Sequence, residues 1–463
     1  MQKFKTITTF IITLFIVINC SAQSQNLHLV VRNHPGHAIT LVRFKGDQMI
    51  PVKEKSYAKE GVSFDMTDQK PGMYRVILKQ AKSRKEQGKA LNLIYNREDI
   101  KLKTDYQAPQ KNLQIVQSKE NRIYRDFLQY HRTFERKMNL LNQMVEQYPE
   151  DDPFYKQVTQ QYTRIQKKHK NHIDSVLAEH PDAFAAHVIK SYRTPMLKPE
   201  FSPRERMSHL KDHFLNTIDF QDTLLIRTPR ISQKILRYLS LYRSQGMSRS
   251  KQEKQFIRAV DEILLHAYIN DKMYNFVLDY LVKGFEQFKM EKVLTHIYEK
   301  NLSDKTCKNN NADIKKRLKQ YAKLSPGKKA PDFSFNPLNG EKIRLSEMDS
   351  PYTLVLFYAS WCGHCQKSVP KIHDIYKKYD DKGLEVVAIS LDEQKEEYKA
   401  FLEKGNYNWI NYCDYKKWES PIVQKYNIYA TPTMLLLEDD RTIIGKPVTV
   451  EELKTELGKL NWN

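Results

Sequence analysis

Two cysteines separated by two residues constrain the fold of this chain more than any other feature of its sequence. Cys362 and Cys365 lie in "YASWCGHCQKSVP", between the apolar run "TLVLFY" and a helix-like segment that extends to Tyr379. A continuous apolar run of this length is typical of a strand that is buried on both faces. The pattern therefore places the pair at a strand-to-helix turn, with Cys362 at the start of the helix.

Strand-like and helix-like patterns alternate around this turn. A second apolar run, "LEVVAIS", precedes a helical pattern around Glu396 to Glu403, and "TPTMLLLED" precedes a final helix from Val450. Alternation of this kind is typical of α/β domains with parallel strands. The sequence thus predicts a multi-domain chain with a C-terminal α/β domain over residues 325–463.

The front of the chain has a different pattern. Residues 23–112 contain short β-rich runs, "LHLVV", "AITLVRF", "YRVILK" and "LNLIY", which are separated by Pro and Gly turns. Such runs predict a small antiparallel sheet or β-sandwich-like domain. Three histidines, His28, His34 and His37, lie too close to these turns to indicate a metal site.

Residues 118–322 are predicted to be all-α. Apolar residues recur every three or four positions from Ile123 to Tyr148, and again from Phe154 to Leu177, with Pro149 between the two stripes. Each stripe indicates an amphipathic helix, and the short polar turn between them favours an antiparallel pair. His169 lies on the second stripe, where we expect a buried or edge residue rather than a ligand.

The first 22 residues have the order of a secretory signal. Lys3 and Lys5 precede an apolar run from Ile7 to Ile18, which is shorter than a membrane-spanning helix requires. Two outcomes fit the residues that follow: cleavage after Ala22, which would release a soluble protein, or lipidation of Cys20, which would anchor it. Either outcome predicts export to an oxidising compartment.

The formal charge of +21 is unevenly distributed. Residues 325–463 carry 19 basic and 21 acidic side chains, so the 57 basic and 34 acidic residues that remain give the preceding region a net charge of +23. Basic residues within 23–324 could contact an anionic envelope surface, or they could be lysines on solvated helix faces. Nucleic acid is not an expected partner, because the chain shows no such motif and is predicted to be exported.

The remaining cysteines argue against a metal site. Cys307 and Cys413 are distant in sequence from each other and from the close pair, whereas a zinc site requires a second close pair or nearby histidines. We expect both to be unpaired buried thiols, with a Cys307–Cys413 bridge as the alternative. No cofactor is expected.

Redox chemistry fits the close pair better. At a helix start, free backbone N–H groups and the helix dipole favour the thiolate of Cys362. Cys365 lies one turn deeper, where it can attack a mixed disulfide formed at Cys362. His364 adds a titratable proton beside the thiolate, and Pro370 removes one helical hydrogen bond and kinks the helix.

Three of these motifs together resemble the thioredoxin fold: "WCGHC", Pro370 five residues after the second cysteine, and "ATPT" at Ala430–Thr433. The lead "PGKKAPDFSFNPLNGEKIRLSEM" and the segment "VVAISLDE" make this domain similar to the TlpA/ResA-like branch of bacterial envelope thioredoxins. The β-rich and helical regions that precede it resemble, more loosely, multi-domain envelope proteins of Gram-negative bacteria.

The resemblance implies roles for individual residues. Cys362 would be the nucleophile and Cys365 the resolving thiol of a redox-active disulfide, Cys362–Cys365. Pro432 would be a cis-proline, and the backbone of Thr431 would pair with an extended substrate. The residues implied in substrate binding are Trp361, Gly363, Thr431 and Pro432.

The resemblance also implies an acidic residue near the resolving cysteine. Thioredoxin itself places it six residues before the first cysteine, where this chain has Leu356. In the ResA-like pattern a glutamate ends the "VVAISLDE" segment, so Glu393 is the candidate general base for Cys365, with Asp392 as the second choice. The alternative is that Glu393 is only an acidic residue near a helix N-terminus.

The implied activity is that of a thiol:disulfide oxidoreductase in the periplasm or envelope. It would reduce protein disulfides, such as those of apocytochrome c before haem attachment, and a membrane electron donor would re-reduce it. "CGHC" with threonine before the proline also resembles disulfide isomerases, so an oxidant or isomerase stays open, as does a redox-gated binding protein. Peroxidase activity is disfavoured, because Ala359 occupies the position where that pattern requires threonine.

Overall fold

The structure, a computed structural model, describes residues 25–79, 88–301, 312–338 and 340–462. The predicted signal segment 1–22, Cys20 and Cys307 lie outside these ranges. The chain divides into two units, Met1–Leu241 and Tyr242–Asn463.

The first unit begins with two four-stranded sheets. Their orders are β4-β1-β7-β8 and β3-β2-β5-β6, and all pairings are antiparallel except that of β1 with β7. Alternate residues of both sheets, such as Leu29 and Val76, share one buried apolar cluster. The predicted sandwich is therefore confirmed. The described strands are β1 (Asn26–Arg32), β2 (Ala38–Lys45), β3 (Gln48–Ser56), β4 (Val62–Asp65), β5 (Gly72–Lys79), β6 (Lys89–Tyr95), β7 (Ile100–Asp105) and β8 (Gln114–Gln117).

Two long helices follow the sandwich, as the apolar stripes predict. Met138 packs with Val158 and Tyr162 in one cluster, and His131 Nδ1 lies 2.9 Å from His169 Nε2, so the two helices are antiparallel. His169 is buried, as expected from its place on the stripe. The helices of this unit are α1 (Lys119–Gln147), α2 (Pro153–Glu179), α3 (Phe184–Lys190), α4 (Pro203–His213) and α5 (Arg230–Ser240).

The helical region predicted over 118–322 is divided between the two units. Its first half packs on the sandwich, because Phe44 and Ile94 of the sheet share an apolar cluster with Tyr124, Phe127 and residues of α3. Its second half belongs to the second unit. The periodicity of a helix shows which face is apolar but not which neighbour covers it, so the division was not visible in the sequence. The helices of the second half are α6 (Arg249–Ala267), α7 (Asp271–Gln287), α8 (Glu291–Asn301) and α9 (Ala312–Lys323).

The rest of the second unit is the predicted α/β domain. Its five-stranded sheet has the order β13-β12-β11-β14-β15, in which β11, β12 and β13 are parallel and β14 and β15 are antiparallel to their neighbours. The central strand β11 comes from "TLVLFY", whose residues are buried on both faces. The strands are β9 (Ser334–Phe335), β10 (Ile343–Arg344), β11 (Tyr352–Tyr358), β12 (Leu384–Ser390), β13 (Ile410–Cys413), β14 (Thr433–Glu438) and β15 (Ile443–Gly445).

Four helices accompany this sheet: α10 (Gly363–Tyr379), α11 (Lys395–Gly405), α12 (Pro421–Lys425) and α13 (Val450–Leu457). Pro370 lies inside α10, where the sequence predicts it. The arrangement is a thioredoxin-like fold. Among the described helices, none combines the length and the apolar composition that crossing a lipid bilayer requires.

Candidate functional site

The cysteine pair lies at the end of the central strand. Strand β11 ends at Tyr358, a short turn follows, and Cys362 is the N-cap residue of α10. Its Sγ accepts a hydrogen bond from the backbone N–H of Cys365 at 3.4 Å. The pair therefore lies at the predicted turn between a strand and a helix, and both cysteines are free thiols.

The environment of Cys362 favours its thiolate. Burial raises the pKa of this thiol, but hydrogen bonds from the side chains of Thr431 and Cys365, and from the backbone N–H groups of Cys365 and His364, outweigh burial and bring the pKa below its ordinary value of 9.0. In the protonated form Sγ donates to the carbonyl oxygen of Thr431 at 3.5 Å. That single contact favours the thiol, whereas the several donors favour the anion.

Cys365 has the opposite environment. Its side chain is fully buried in an apolar cluster with Leu354, Tyr358 and Val369. Burial raises the pKa of Cys365 to about 12. The two thiols are therefore chemically distinct: one is half-buried with a lowered pKa, and the other is enclosed with a raised pKa.

The turn before Cys362 is fixed by a buried carboxylate. Asp392 has no exposed surface and accepts hydrogen bonds from the Ser360 hydroxyl at 2.6 Å, from the Ser360 backbone N–H at 3.1 Å and from the Ser390 hydroxyl. The amide of Gln366 donates to the carbonyl oxygen of Ser360 at 2.8 Å. Asp392 thus holds the backbone that places Cys362 at the helix start.

The peptide bond between Thr431 and Pro432 is cis, as the motif "ATPT" implies. The loop that contains it leads into β14, which pairs with β11 next to the cysteines, with Phe357 opposite Thr433. The contact between Cys362 Sγ and the carbonyl oxygen of Thr431 places this loop against the thiol.

The other predicted residues of this surface are accessible. Trp361 and His364 are exposed, and a Cβ added to Gly363 would contact nothing within 4 Å. The surface beside Cys362 is therefore exposed.

Glu393 lies on the surface rather than beside Cys365. Its side chain is 53% exposed and its carboxylate accepts a hydrogen bond from Lys417 Nζ at 2.8 Å. The ammonium of Lys417 in turn lies over the ring of Trp361, 5.4 Å from its centroid. The general-base role of Glu393 stays a prediction, and the geometry favours a different one, in which Glu393 positions Lys417 over the indole.

Sequence reasoning missed this lysine. Lys417 and Tyr415 both have left-handed backbone conformations, with φ of 50° and 58°, in a turn that also exposes Trp418. Non-glycine residues in this region are uncommon and cluster at functional sites. Nothing in the motif "DYKKWE" marks it as adjacent to the cysteine pair, because the two segments meet only in the folded domain.

Cys413 is a free thiol at the end of β13, and like Cys362 it packs against the apolar cluster that contains Cys365. Its Sγ donates to the carbonyl oxygen of Asp392 at 3.4 Å, and burial raises its pKa to about 11. Cys413 is unpaired, as expected, but it is only partly buried, and Cys307 lies outside the described residues.

No group of three or more His, Cys, Asp or Glu side chains in the described ranges is arranged to hold a metal ion. The histidine cluster of the first unit, which includes His131 and His169, packs against aromatic rings such as Phe127 and Phe134.

The fold and the site together define a thioredoxin-fold thiol-disulfide oxidoreductase domain. Comparison with protein families agrees, since residues 326–446 match the model of the AhpC/TSA family. The chain is 30% identical over 141 residues to the thiol-disulfide oxidoreductase ResA of Bacillus thuringiensis subsp. konkukian, a match that covers 30% of this chain and 80% of the ResA chain. ResA of Bacillus subtilis is 26% identical over 121 residues, covering 26% of this chain and 66% of its own. Through its C-terminal domain the chain belongs to the ResA family of thiol-disulfide oxidoreductases.

Solved structures align either with more than half of this chain or with less than a third of it. A thioredoxin-like protein from Bacteroides caccae aligns over 58% of this chain and 99% of its own, with 21% identity and a TM-score of 0.43. A thiol-disulfide oxidoreductase from Bacteroides fragilis aligns over 29% of this chain and 100% of its own, with 28% identity and a TM-score of 0.27.

Proposed function

We propose that this protein reduces disulfide bonds of exported proteins through the pair Cys362 and Cys365. The observation that carries the proposal is the contrast between the two thiols. Cys362 is accessible and its pKa is lowered, while Cys365 is fully buried with a pKa of about 12. This contrast suits a nucleophile that attacks first and a second thiol that reacts only with a partner already attached to Cys362.

The reaction proceeds in two exchanges. The thiolate of Cys362 attacks one sulfur of the substrate disulfide, forms a mixed disulfide and releases the other substrate sulfur as a thiolate. Cys365 then gives its proton to the released substrate thiolate, directly or through solvent, and attacks the sulfur of Cys362. The second substrate thiolate leaves, and both electrons have passed from the protein pair, now the disulfide Cys362–Cys365, to the substrate.

Substrate is held, in this proposal, by the cis-proline loop. An extended peptide would pair with the backbone of Thr431, whose carbonyl oxygen already lies 3.5 Å from Cys362 Sγ. Trp361 and Gly363 would border the peptide, and Pro432 would contact it opposite the pair. Pairing through main-chain atoms is independent of sequence and suits a protein that acts on several substrates.

We place this activity in the periplasm or envelope of a Gram-negative bacterium. The proposal rests on the secretory pattern of residues 1–22, which leaves open whether Cys20 anchors the protein to lipid. An oxidising compartment requires a source of electrons, so a membrane electron donor is the proposed partner. Apocytochrome c before haem attachment is the proposed substrate, and the basic residues of 23–324 are a proposed contact with an anionic envelope surface.

Trapping of mixed disulfides tests the proposal. Cys365→Ser cannot resolve the mixed disulfide, so we expect this variant to retain exported proteins through a bond that dithiothreitol releases. Cys362→Ser should retain none, and Cys413→Ser should behave as the unchanged protein. Absence of trapped partners with Cys365→Ser would refute the reductase and favour a binding protein whose thiols have another use.

The reduction potential decides the direction of electron flow. A value near −270 mV, similar to that of thioredoxin, is the result expected for a reductase, whereas a value near −180 mV or above is expected for an oxidant or isomerase. Equilibration with glutathione or dithiothreitol buffers, followed by alkylation of free thiols, measures it directly.

A further inference from the structure

A cavity of about 930 Å³ lies within the second unit beside the cis-proline loop. It lies at the upper end of the range of about 300–1,000 Å³ that small-molecule pockets occupy. Ala430 and Pro432 line it, and Thr431 between them contacts Cys362. The cavity is therefore continuous with the loop that is proposed to hold the substrate.

Two helices turn a polar face toward this cavity, and a third helix contributes a mixed face. Helix α8 contributes Lys292, Thr295, His296 and Glu299, and helix α13 contributes residues with the same spacing of three and four. Helix α6 contributes three polar residues and the apolar Ile257: Arg249, Ser250, Glu253 and Ile257. A helix face that packs into a core is apolar, so these faces are built for a space that holds water or a ligand rather than for mutual packing.

The walls are held together by specific contacts. Lys446, just after β15, forms an ion pair with Glu291 at the start of α8, and their side chains are only 15% and 28% exposed. The backbone N–H of Lys292 donates to Glu253 at 3.3 Å and so ties α8 to α6. The cavity thus has fixed walls on the side of the helices as well as on the side of the sheet.

Two polar atoms in these walls have no partner in the described structure. Thr295 is 9% exposed and its hydroxyl makes no hydrogen bond. Glu456 of α13 has an unpartnered carboxylate oxygen, and its carboxyl group occupies the space over Gly445, where an added Cβ would lie 1.9 Å from that oxygen. Burial raises the pKa of Glu456. Unpaired buried polar atoms are costly unless a ligand or water satisfies them.

We propose that this cavity binds the extended polypeptide segment on one side of the substrate cysteine, so that helices α6 and α8 select protein disulfides over small ones. The inference rests on the proposed function, since the segment enters from the cis-proline loop. A polypeptide fits the lining because its N–H and C=O groups match acceptors such as Glu456 and donors such as Lys292 on the helices, and its apolar side chains match residues such as Met434 on the sheet side. The two unpartnered atoms are enclosed in the wall, so each gains a hydrogen bond to the peptide when its side chain turns toward the cavity.

Peptides of increasing length measure this binding. Each synthetic peptide carries one cysteine, linked as a mixed disulfide to thionitrobenzoate, and is extended by alternating Ser and Val on either its amino or its carboxyl side. Cys362 of the Cys365→Ser protein attacks the peptide sulfur, forms a Cys362–peptide disulfide and expels coloured thionitrobenzoate. Glutathione linked in the same way is the short reference. We expect the rate constant to rise about tenfold with length on one side, the factor supplied by about one good hydrogen bond.

Variants of the wall locate the effect. Thr455→Trp fills the cavity from an exposed position of α13, and Lys454→Trp places the same side chain on the neighbouring residue, which does not line it. We expect Thr455→Trp to remove the dependence on length and to leave the glutathione rate unchanged, while Lys454→Trp keeps both. Thr295→Val, which preserves shape, should reduce the length dependence.

The outcomes separate the two proposals. A rate that does not depend on peptide length, or a length dependence that survives in both Thr455→Trp and Thr295→Val, would overturn the inference while leaving the proposed reductase intact. Failure of Cys362 to react with the glutathione reference would instead refute the proposed function, and the inference with it.

Discussion

Limited alkylation of the reduced protein gives the sharpest measure of the difference between the two thiols. The perturbation is a substoichiometric amount of iodoacetamide added near neutral pH. The pKa of Cys365 is about 12, and that of Cys362 lies below 9.0, so the two differ by more than 3 units. At any pH below both values, the fraction of Cys362 present as thiolate exceeds that of Cys365 by more than about 1,000-fold.

Nucleophilicity reduces this advantage. A thiolate of higher pKa reacts faster, with a Brønsted coefficient of about 0.4–0.5. For a pKa difference of 3, the thiolate of Cys365 is therefore roughly 15 to 30 times more reactive than that of Cys362. The net preference for Cys362 is therefore about 30-fold or more. Full burial of Cys365 slows the entry of the reagent and increases the preference further.

The assay is peptide mass spectrometry after quenching with isotopically heavy reagent. Cys413 is the internal standard, because its pKa is raised to about 11 and it lies outside the reacting pair. Equal labelling of Cys362 and Cys365 would refute the reasoning. So would a Cys362 rate that continues to rise steeply above pH 9, since its thiol would then have an ordinary or raised pKa.

Four further predictions concern other parts of the molecule. Burial lowers the pKa of His169 to about 3. Between pH 6.5 and 3 this histidine is protonated in the unfolded state but not in the folded state, so stability falls as pH falls through that window. In urea unfolding, His169→Phe should therefore reduce the dependence of stability on pH by about 1.4 kcal/mol per pH unit. Glu393→Gln should raise KM for protein disulfides as much as Lys417→Met does and leave the pH profile of the buried cysteine unchanged, whereas a shifted pH profile would restore the general-base role. Asp392→Asn should lower stability by about 1–3 kcal/mol in thermal unfolding, because the amide keeps only one of the two acceptor oxygens and turns an NH2 group toward the donors of the other. His364→Pro removes a backbone donor that favours the thiolate, so its reduction potential should become more negative, while His364→Ala, which keeps the N–H, should not reproduce the full change.

The sequence was sufficient for those parts of the site that depend on local pattern. "TLVLFY" predicted the central strand, and the apolar run before the first cysteine predicted Cys362 at the start of α10. The motif "ATPT" predicted the cis peptide bond before Pro432. Each of these follows from neighbours along the chain, which a pattern of burial and turn residues records.

Contacts between distant segments could not be obtained in this way. Glu393 and Asp392 are adjacent in sequence, yet the first is 53% exposed and the second has no exposed surface. A residue pattern cannot choose between them, because the difference arises from distant partners: Ser360 donates a hydrogen bond to Asp392, and Lys417 donates one to Glu393. The assignment of Glu393 as a base came from a motif, and the motif does not contain the lysine that holds it.

The cavity could not be predicted from the sequence, because its polar helix residues have the pattern of an ordinary solvated face. Polar residues at the spacing of Thr295 and Glu299 indicate a solvated helix face, and that interpretation is correct for most helices. Here two such faces, from α8 and α13, meet the mixed face of α6 around one space, and two of their polar atoms have no partner. Apolar side chains at these positions would fill the space and stabilise the unit. This unit instead has an unpaired Glu456 carboxylate oxygen that packs over Gly445, and it is less stable for that reason. Such a loss of stability is expected at a site that binds a polar chain.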